Sequence, residues 1–281
     1  MKRYRFAFYY FVLLLLSACE GDVFNDAEQT VVIEGWIEDK QHPCFFVTHS
    51  LSVKDVYQNY SNLKNENLVK DAIITITEGD RSFILHADST DGLYIPICYT
   101  CEELVGKAGM NYSVNINIDG QEIFSETSIP PSSFEGHVEV VETEIEGSYA
   151  LKLHVYCLGK EEYGRVFVKI AGLTEGYLLS PGSFLKEQGS SEEFEVCISR
   201  PNLQVITSSD PFFHSGEQIQ IRVSMMSLET YLMWEEYEKR LDLSRNPLFP
   251  FTTNFGSMFG KEVLGYWAGY NSYYYDVIIG K

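Results

Sequence analysis

Tyr112-Ser113-Val114-Asn115-Ile116-Asn117-Ile118-Asp119-Gly120-Gln121 decides the fold. Tyr112, Val114, Ile116 and Ile118 fall on one side of an extended chain, and Ser113, Asn115 and Asn117 on the other, which is the period-two pattern of a strand with one wet face. Asp119-Gly120 is the strongest short hairpin signal, because both central residues of a type I′ turn need positive φ, and Gln121 to Ser128 makes the returning strand. Upstream the same pattern recurs. Val31, Ile33, Gly35 and Ile37 share a face; Pro43 to Thr48 forms a second strand; Ala72 to Thr77 and Ser82 to His86 flank the turn Glu78-Gly79-Asp80. Asp91-Gly92 precedes a further strand, Leu93 to Ile97, and the polar stretch Val56 to Glu66 reads as a long loop. Seven short strands in about a hundred residues predict an Ig-like or transthyretin-like β-sandwich over residues 29–130.

Pro130-Pro131 can sit only outside a central strand and marks a domain boundary. Beyond it, residues 131–281 form a second antiparallel β domain. Its expected strands are Gly136 to Val141, Tyr149 to Tyr156, Arg165 to Ile170, Phe194 to Ile198, Gln218 to Ser224, and two last ones, Tyr266 to Tyr270 and Tyr273 to Ile279. Gly172 to Ser191 is expected to be irregular. One helix is predicted over 228–243, with Ser227 as cap, Glu229 at its positive end, Lys239-Arg240 at its negative end, and a stripe of Leu228, Tyr231, Trp234, Tyr237 and Leu241 for the sheet.

Residues 1–18 carry Lys2, Arg3 and Arg5, then an apolar run from Phe6 to Leu16 closed by Ser17 and Ala18, the layout of a secretory signal. The run is about half of the ~20 residues that a membrane-spanning helix needs. Leu16-Ser17-Ala18-Cys19 resembles a bacterial lipobox, which implies cleavage before Cys19 and acylation of that residue; the alternative is an ordinary signal peptide that happens to contain a Cys. Residues 19–28 are an acidic tether, read either as a solvated linker or, through Glu20 and Asp22, as a cell-surface export signal of outer-membrane lipoproteins.

The formal charge of −19 includes three basic signal residues, so the mature chain is near −22. That excludes nucleic acid as a natural partner and excludes electrostatic docking on anionic lipid. With 45% hydrophobic and 14% aromatic residues, disorder is excluded as well. Of six cysteines, Cys44, Cys98, Cys101, Cys157 and Cys197 remain beside Cys19. In an oxidising compartment the default is disulfides and one free thiol. Cys157 and Cys197 are candidate cross-strand partners; Cys98 and Cys101 either close a small loop or one of them pairs with Cys44.

Three stretches taken together resemble the Bacteroidetes outer-membrane lipoprotein family known as domain of unknown function 4249. They are the lipobox followed by Val31-Val32-Ile33-Glu34-Gly35-Trp36-Ile37; Lys70 to Ile76 with Asp91-Gly92-Leu93-Tyr94; and Tyr231-Leu232-Met233-Trp234 leading to Asn246-Pro247-Leu248-Phe249, with Asn254, Gly256, Gly260 and Gly265 beyond. The segment Met258 to Gly265 is less glycine-rich than that pattern. The resemblance implies an outer-membrane lipoprotein working beside a TonB-dependent receptor, and implies no activity and no cofactor.

No motif for catalysis or metal binding stands out. Cys98-Tyr99-Thr100-Cys101 has redox spacing but is followed by glycines and a strand rather than a helix, and the six histidines are scattered singly. The aromatic end offers candidate ligand or partner contacts, Trp267, Tyr273 and Tyr275, against the reading that such rings fill a core. The expected function is therefore a non-catalytic binding or accessory subunit of an outer-membrane uptake system, the alternative being a stand-alone surface adhesin or hydrolase.

Overall fold

The computed structural model describes residues 30–50, 67–89, 97–186, 193–201, 211–244, 259 and 263–280. The signal, Cys19, the tether, the Val56 to Glu66 loop, most of the Leu93 to Ile97 strand and the Asn246-Pro247 motif lie outside the described residues. Among the described residues the fold is mainly β, with several antiparallel sheets and one helix. Among the described residues no helix is long and apolar enough to cross a membrane.

The strands are β1 (Val31–Glu38), β2 (Cys44–His49), β3 (Ile73–Glu78), β4 (Arg81–Ile84), β5 (His86–Ser89), β6 (Ile97–Thr100), β7 (Asn111–Ile118), β8 (Gln121–Ser128), β9 (Glu135–Glu142), β10 (Ser148–Cys157), β11 (Tyr163–Ile170), β12 (Leu178–Lys186), β13 (Phe194–Ile198), β14 (Phe213–His214), β15 (Gln218–Met226) and β16 (Leu264–Ile278). The single helix among the described residues, α1, spans Leu228–Ser244. An eight-stranded sheet runs β12-β11-β15-β16-β1-β2-β6-β5. Two four-stranded sheets, β4-β3-β7-β8 and β13-β10-β14 with β9 also on β10, complete the fold.

β16 is the spine. It is one continuous strand where two were expected, since Asn271-Ser272 carries no turn. Its first half pairs parallel with β1, Val32↔Leu264 to Glu38↔Tyr270, and its second half pairs antiparallel with β15, Met225↔Asn271 to Gln218↔Ile278. The β1–β16 pairing is parallel, joining a strand from before Pro130-Pro131 to one from after it, and the large sheet draws strands from both sides of that boundary. Gly265 makes the junction: its φ is +127°, and a Cβ there would lie 1.7 Å from the Ile33 carbonyl oxygen, so only glycine fits.

Alternation along β16 sorts the cores. Its odd positions face the two small sheets. Trp267 joins Ile33, Ile37, Phe45, Ile74, Val114 and Ile116 in the first core, while Tyr273, Tyr275 and Val277 pack against Leu153, Val168, Ile221 and their neighbours in the second. Its even positions face α1, where Tyr266, Ala268 and Tyr270 meet Trp36, Phe167, Tyr231 and Trp234.

Two further local readings are revised. The strand expected over Ser82 to His86 divides at buried Leu85, whose N–H bonds the Ile74 carbonyl at 2.9 Å, so that β4 stays in the small sheet and β5 crosses to the large one. The region expected to be irregular contains β12, an edge strand in which Pro181-Gly182, with Gly182 at φ +73°, accompanies a register shift against β11; edges tolerate such residues and centres do not.

Candidate functional site

At one end of the β4-β3-β7-β8 sheet, a polar groove of about 680 Å³ opens between the strands and the start of α1. Its floor follows the strand register. Thr77 lies opposite Ser113, and Ser113 opposite Glu126, with Asn111 and Ser128 forming the next row. Ser227, Leu228 and Glu229 form the wall. Among the described residues no lysine or arginine lines it.

The floor is pinned from beneath. The Tyr112 hydroxyl donates to buried Glu78 at 3.3 Å and accepts the Lys107 N–H at 2.9 Å, and burial pushes the Tyr112 phenol up in pKa. Glu78 is offset by Arg81, which hydrogen-bonds it, and by the Lys107 ammonium at 3.8 Å. A buried carboxylate needs such partners. The hydroxyl of Thr127, also in the lining, is buried without a hydrogen-bond partner among the described residues.

The wall is set by how α1 begins and what it lies on. Ser227 Oγ accepts the Thr230 N–H at 3.2 Å, the expected cap. The helix runs on to Ser244, so Lys239 and Arg240 sit before its last turn; they pair instead with Glu235 at 3.1 Å and Glu236 at 2.8 Å. Leu228, expected to face the sheet, is exposed on the groove wall. Tyr231 and Trp234 do face it, and the Trp234 indole donates to the Tyr270 hydroxyl at 3.0 Å. Arg165, fully buried beneath the helix, hydrogen-bonds the Trp234 carbonyl at 3.0 Å, pairs with Glu238, and lies 3.7 Å over the Phe184 ring. Nearby, Arg222 stacks over Phe167 and Tyr177 and approaches Glu38 at 3.8 Å, and Glu38 accepts the Tyr274 hydroxyl. This layer holds charge where the opposite face holds aliphatics. Burial accordingly raises Glu34, lifts Tyr266 well above its ordinary value and pushes Tyr270 up to about 12.

The aromatic residues singled out from sequence line the core-facing side of β16, Trp267 buried and Tyr273 and Tyr275 half-buried. Trp267 is 0% exposed and stacks on Phe45 with ring centres 4.6 Å apart. Tyr273 packs on Phe134, and the Tyr275 hydroxyl donates to the Gly136 carbonyl at 3.0 Å. All three occupy odd positions of β16 and point into the cores; Tyr274, between the latter two, is the ring that is 49% exposed. The run Tyr273-Tyr274-Tyr275 does not reveal its phase without the partner strands.

The cysteines are revised too. Cys98 is bonded to Cys44, with Cα atoms 6.0 Å apart, across adjacent β6 and β2, so Cys98 and Cys101 do not staple a loop. Cys101 is a buried thiol donating to Glu103 at 3.0 Å; burial first, then that bond, raises its pKa. Cys157 and Cys197 are both free and exposed. Cys197 pairs in register with Lys152, five residues along β10 from Cys157, or roughly 17 Å, which no disulfide spans. Among the described residues no three His, Cys, Asp or Glu side chains converge to hold a metal ion.

The groove escaped sequence reading, although its signal was there. Ser113, Asn115 and Asn117 make the wet face of the deciding strand, and Phe124 is a large apolar ring placed on that face beside the core residue Ile123. Comparison with protein-family models and with curated proteins returns no match.

Proposed function

We propose that the protein is an outer-membrane lipoprotein, anchored through acylated Cys19 and exposed at the cell surface, that serves as a non-catalytic binding or accessory subunit beside a TonB-dependent receptor. The observation that carries the binding role is the open polar groove on a rigid β scaffold, since ligand sites are concave and supplied with a few placed polar groups. The anchor and the partner are supported by Leu16-Ser17-Ala18-Cys19 and by the family resemblance of the flanking stretches. At a charge near −22, the mature chain's affinity for the membrane comes from acyl chains rather than from lipid headgroups.

Two measurements test the reading. Labelled palmitate enters the wild-type protein and not Cys19→Ala, and protease added to intact cells cleaves the anchored form. Mild detergent extraction of the full-length protein recovers a TonB-dependent receptor with it. Recovery alone across several detergents, with turnover of a polymeric substrate, assigns the protein instead to the stand-alone hydrolases.

A further inference from the structure

The groove continues onto an open sheet face whose chemistry is specific. One register row beyond Thr77, Ser113 and Glu126 lies the row Ile84, Thr75, Asn115 and Phe124. All four point outward, because their neighbours Ile74, Val114 and Ile123 fill the first core. Phe124 is 61% exposed and stacks on no other ring among the described residues. Thr75, Ser113, Asn115 and Asn111 offer hydroxyls and amides that bond no other side chain there, on a grid of roughly 5 Å between strands and 7 Å between rows. The formal charges on this face and wall are the carboxylates of Glu122, Glu126 and Glu229.

From this juxtaposition we infer that the outer face of β3, β7 and β8, with the groove at its end, recognises a neutral oligosaccharide. Phe124 is the stacking ring, and Thr75, Asn115 and Ser113 are the hydrogen-bonding set. The inference rests on the binding role proposed above and names its ligand class. An aromatic face with the Asn115 amide opposite it and the Glu122 and Glu126 carboxylates two residues to either side suits a ring that is apolar on its faces and hydroxylated at its edge. Carboxylates at the margin accept hydrogen bonds from sugar hydroxyls and repel phosphate, sulfate and uronate. A peptide strand would add to a sheet edge, where backbone groups are free, whereas on this face the backbone is already paired within the sheet.

The test uses the full-length lipidated protein in detergent micelles. Calorimetric titrations employ maltohexaose, xylohexaose, mannohexaose and chitohexaose as neutral probes, polygalacturonate as the anionic probe and hexalysine as the basic peptide. At least one neutral probe binds, and polygalacturonate and hexalysine do not. Phe124→Ala weakens that binding about tenfold and Phe124→Trp restores it, while Asn115→Ala weakens it about threefold. Both positions point outward, so melting temperatures stay within roughly 2 °C of wild type. Absence of binding by every neutral probe at millimolar concentration overturns the inference, as does binding that Phe124→Ala leaves unchanged, or preference for hexalysine. Copurification with a receptor is scored separately: sugar binding without a receptor defeats the accessory role and spares the site, and a receptor without sugar binding does the reverse.

Discussion

The two faces of β16 are built by opposite rules. Its odd face presents Trp267 and the inward tyrosines to aliphatic cores, where stability comes from area removed from water and from close packing. Its even face presents Tyr266, Tyr270 and Tyr274 to a layer holding Glu34, Glu38, Arg165 and Arg222 beneath α1. There the buried groups hold one another in place, and each depends on a particular partner. A strand of fifteen residues thus separates a face tolerant of chemistry but not of volume from one tolerant of volume but not of chemistry.

Trp267→Ala is the largest perturbation. Emptying the indole's site against Phe45 costs about 4 kcal/mol in urea unfolding, and both halves unfold in one transition because β16 belongs to both; a loss below about 1 kcal/mol would erase the contrast between the faces. Arg165→Met keeps most of the volume and removes the partner of Glu238. A loss of roughly 3 kcal/mol is expected, with Glu238→Gln in the Met background restoring part of it; a neutral Arg165→Met would show that volume alone matters on this face as well.

Alkaline pH probes the charged face without mutation. Burial disfavours the Tyr270 anion and pushes its phenol up to about 12, against 10 for an ordinary tyrosine. A raised phenol contributes stability that is complete below pH 10 and is lost as pH climbs towards 12, at about 1.4 kcal/mol per pH unit for this group. Urea midpoints measured from pH 9 to 12 should fall accordingly, and Tyr270→Phe should flatten the slope. The smallest effect belongs to the helix cap: Ser227→Ala costs about 1 kcal/mol and loosens the groove wall, read as faster amide exchange at Thr230.

These contrasts show what the sequence discloses. The hairpin of β7 and β8 was legible to the residue, because alternation and Asp119-Gly120 are local and the observed register, Ile118↔Gln121, is the one they specify. The helix start was legible for the same reason. The parallel union of β1 with β16 was not, since nothing near Val32 points to Leu264. Nor was the phase of the tyrosine run, and the Cys44–Cys98 pairing stood only as one of two alternatives, since both depend on strands brought together from a distance. The proposed binding face shows in the sequence as polarity at Ser113, Asn115 and Asn117, a pattern that any solvated back of a strand shares.

The position of β1 has a mechanical consequence. It lies in the interior of the large sheet, hydrogen-bonded to β2 on one side and to β16 on the other, and the chain enters it directly from Thr30. A pull along that entry, as on a protein held at its N-terminal end while a partner or ligand drags on the body, runs along the strand and loads both ladders in shear together. It cannot peel them open one bond at a time, as it could at a sheet margin. A load applied at this end therefore meets two ladders at once, and rupture under it is governed by the barrier to unfolding rather than by the equilibrium stability that denaturants measure.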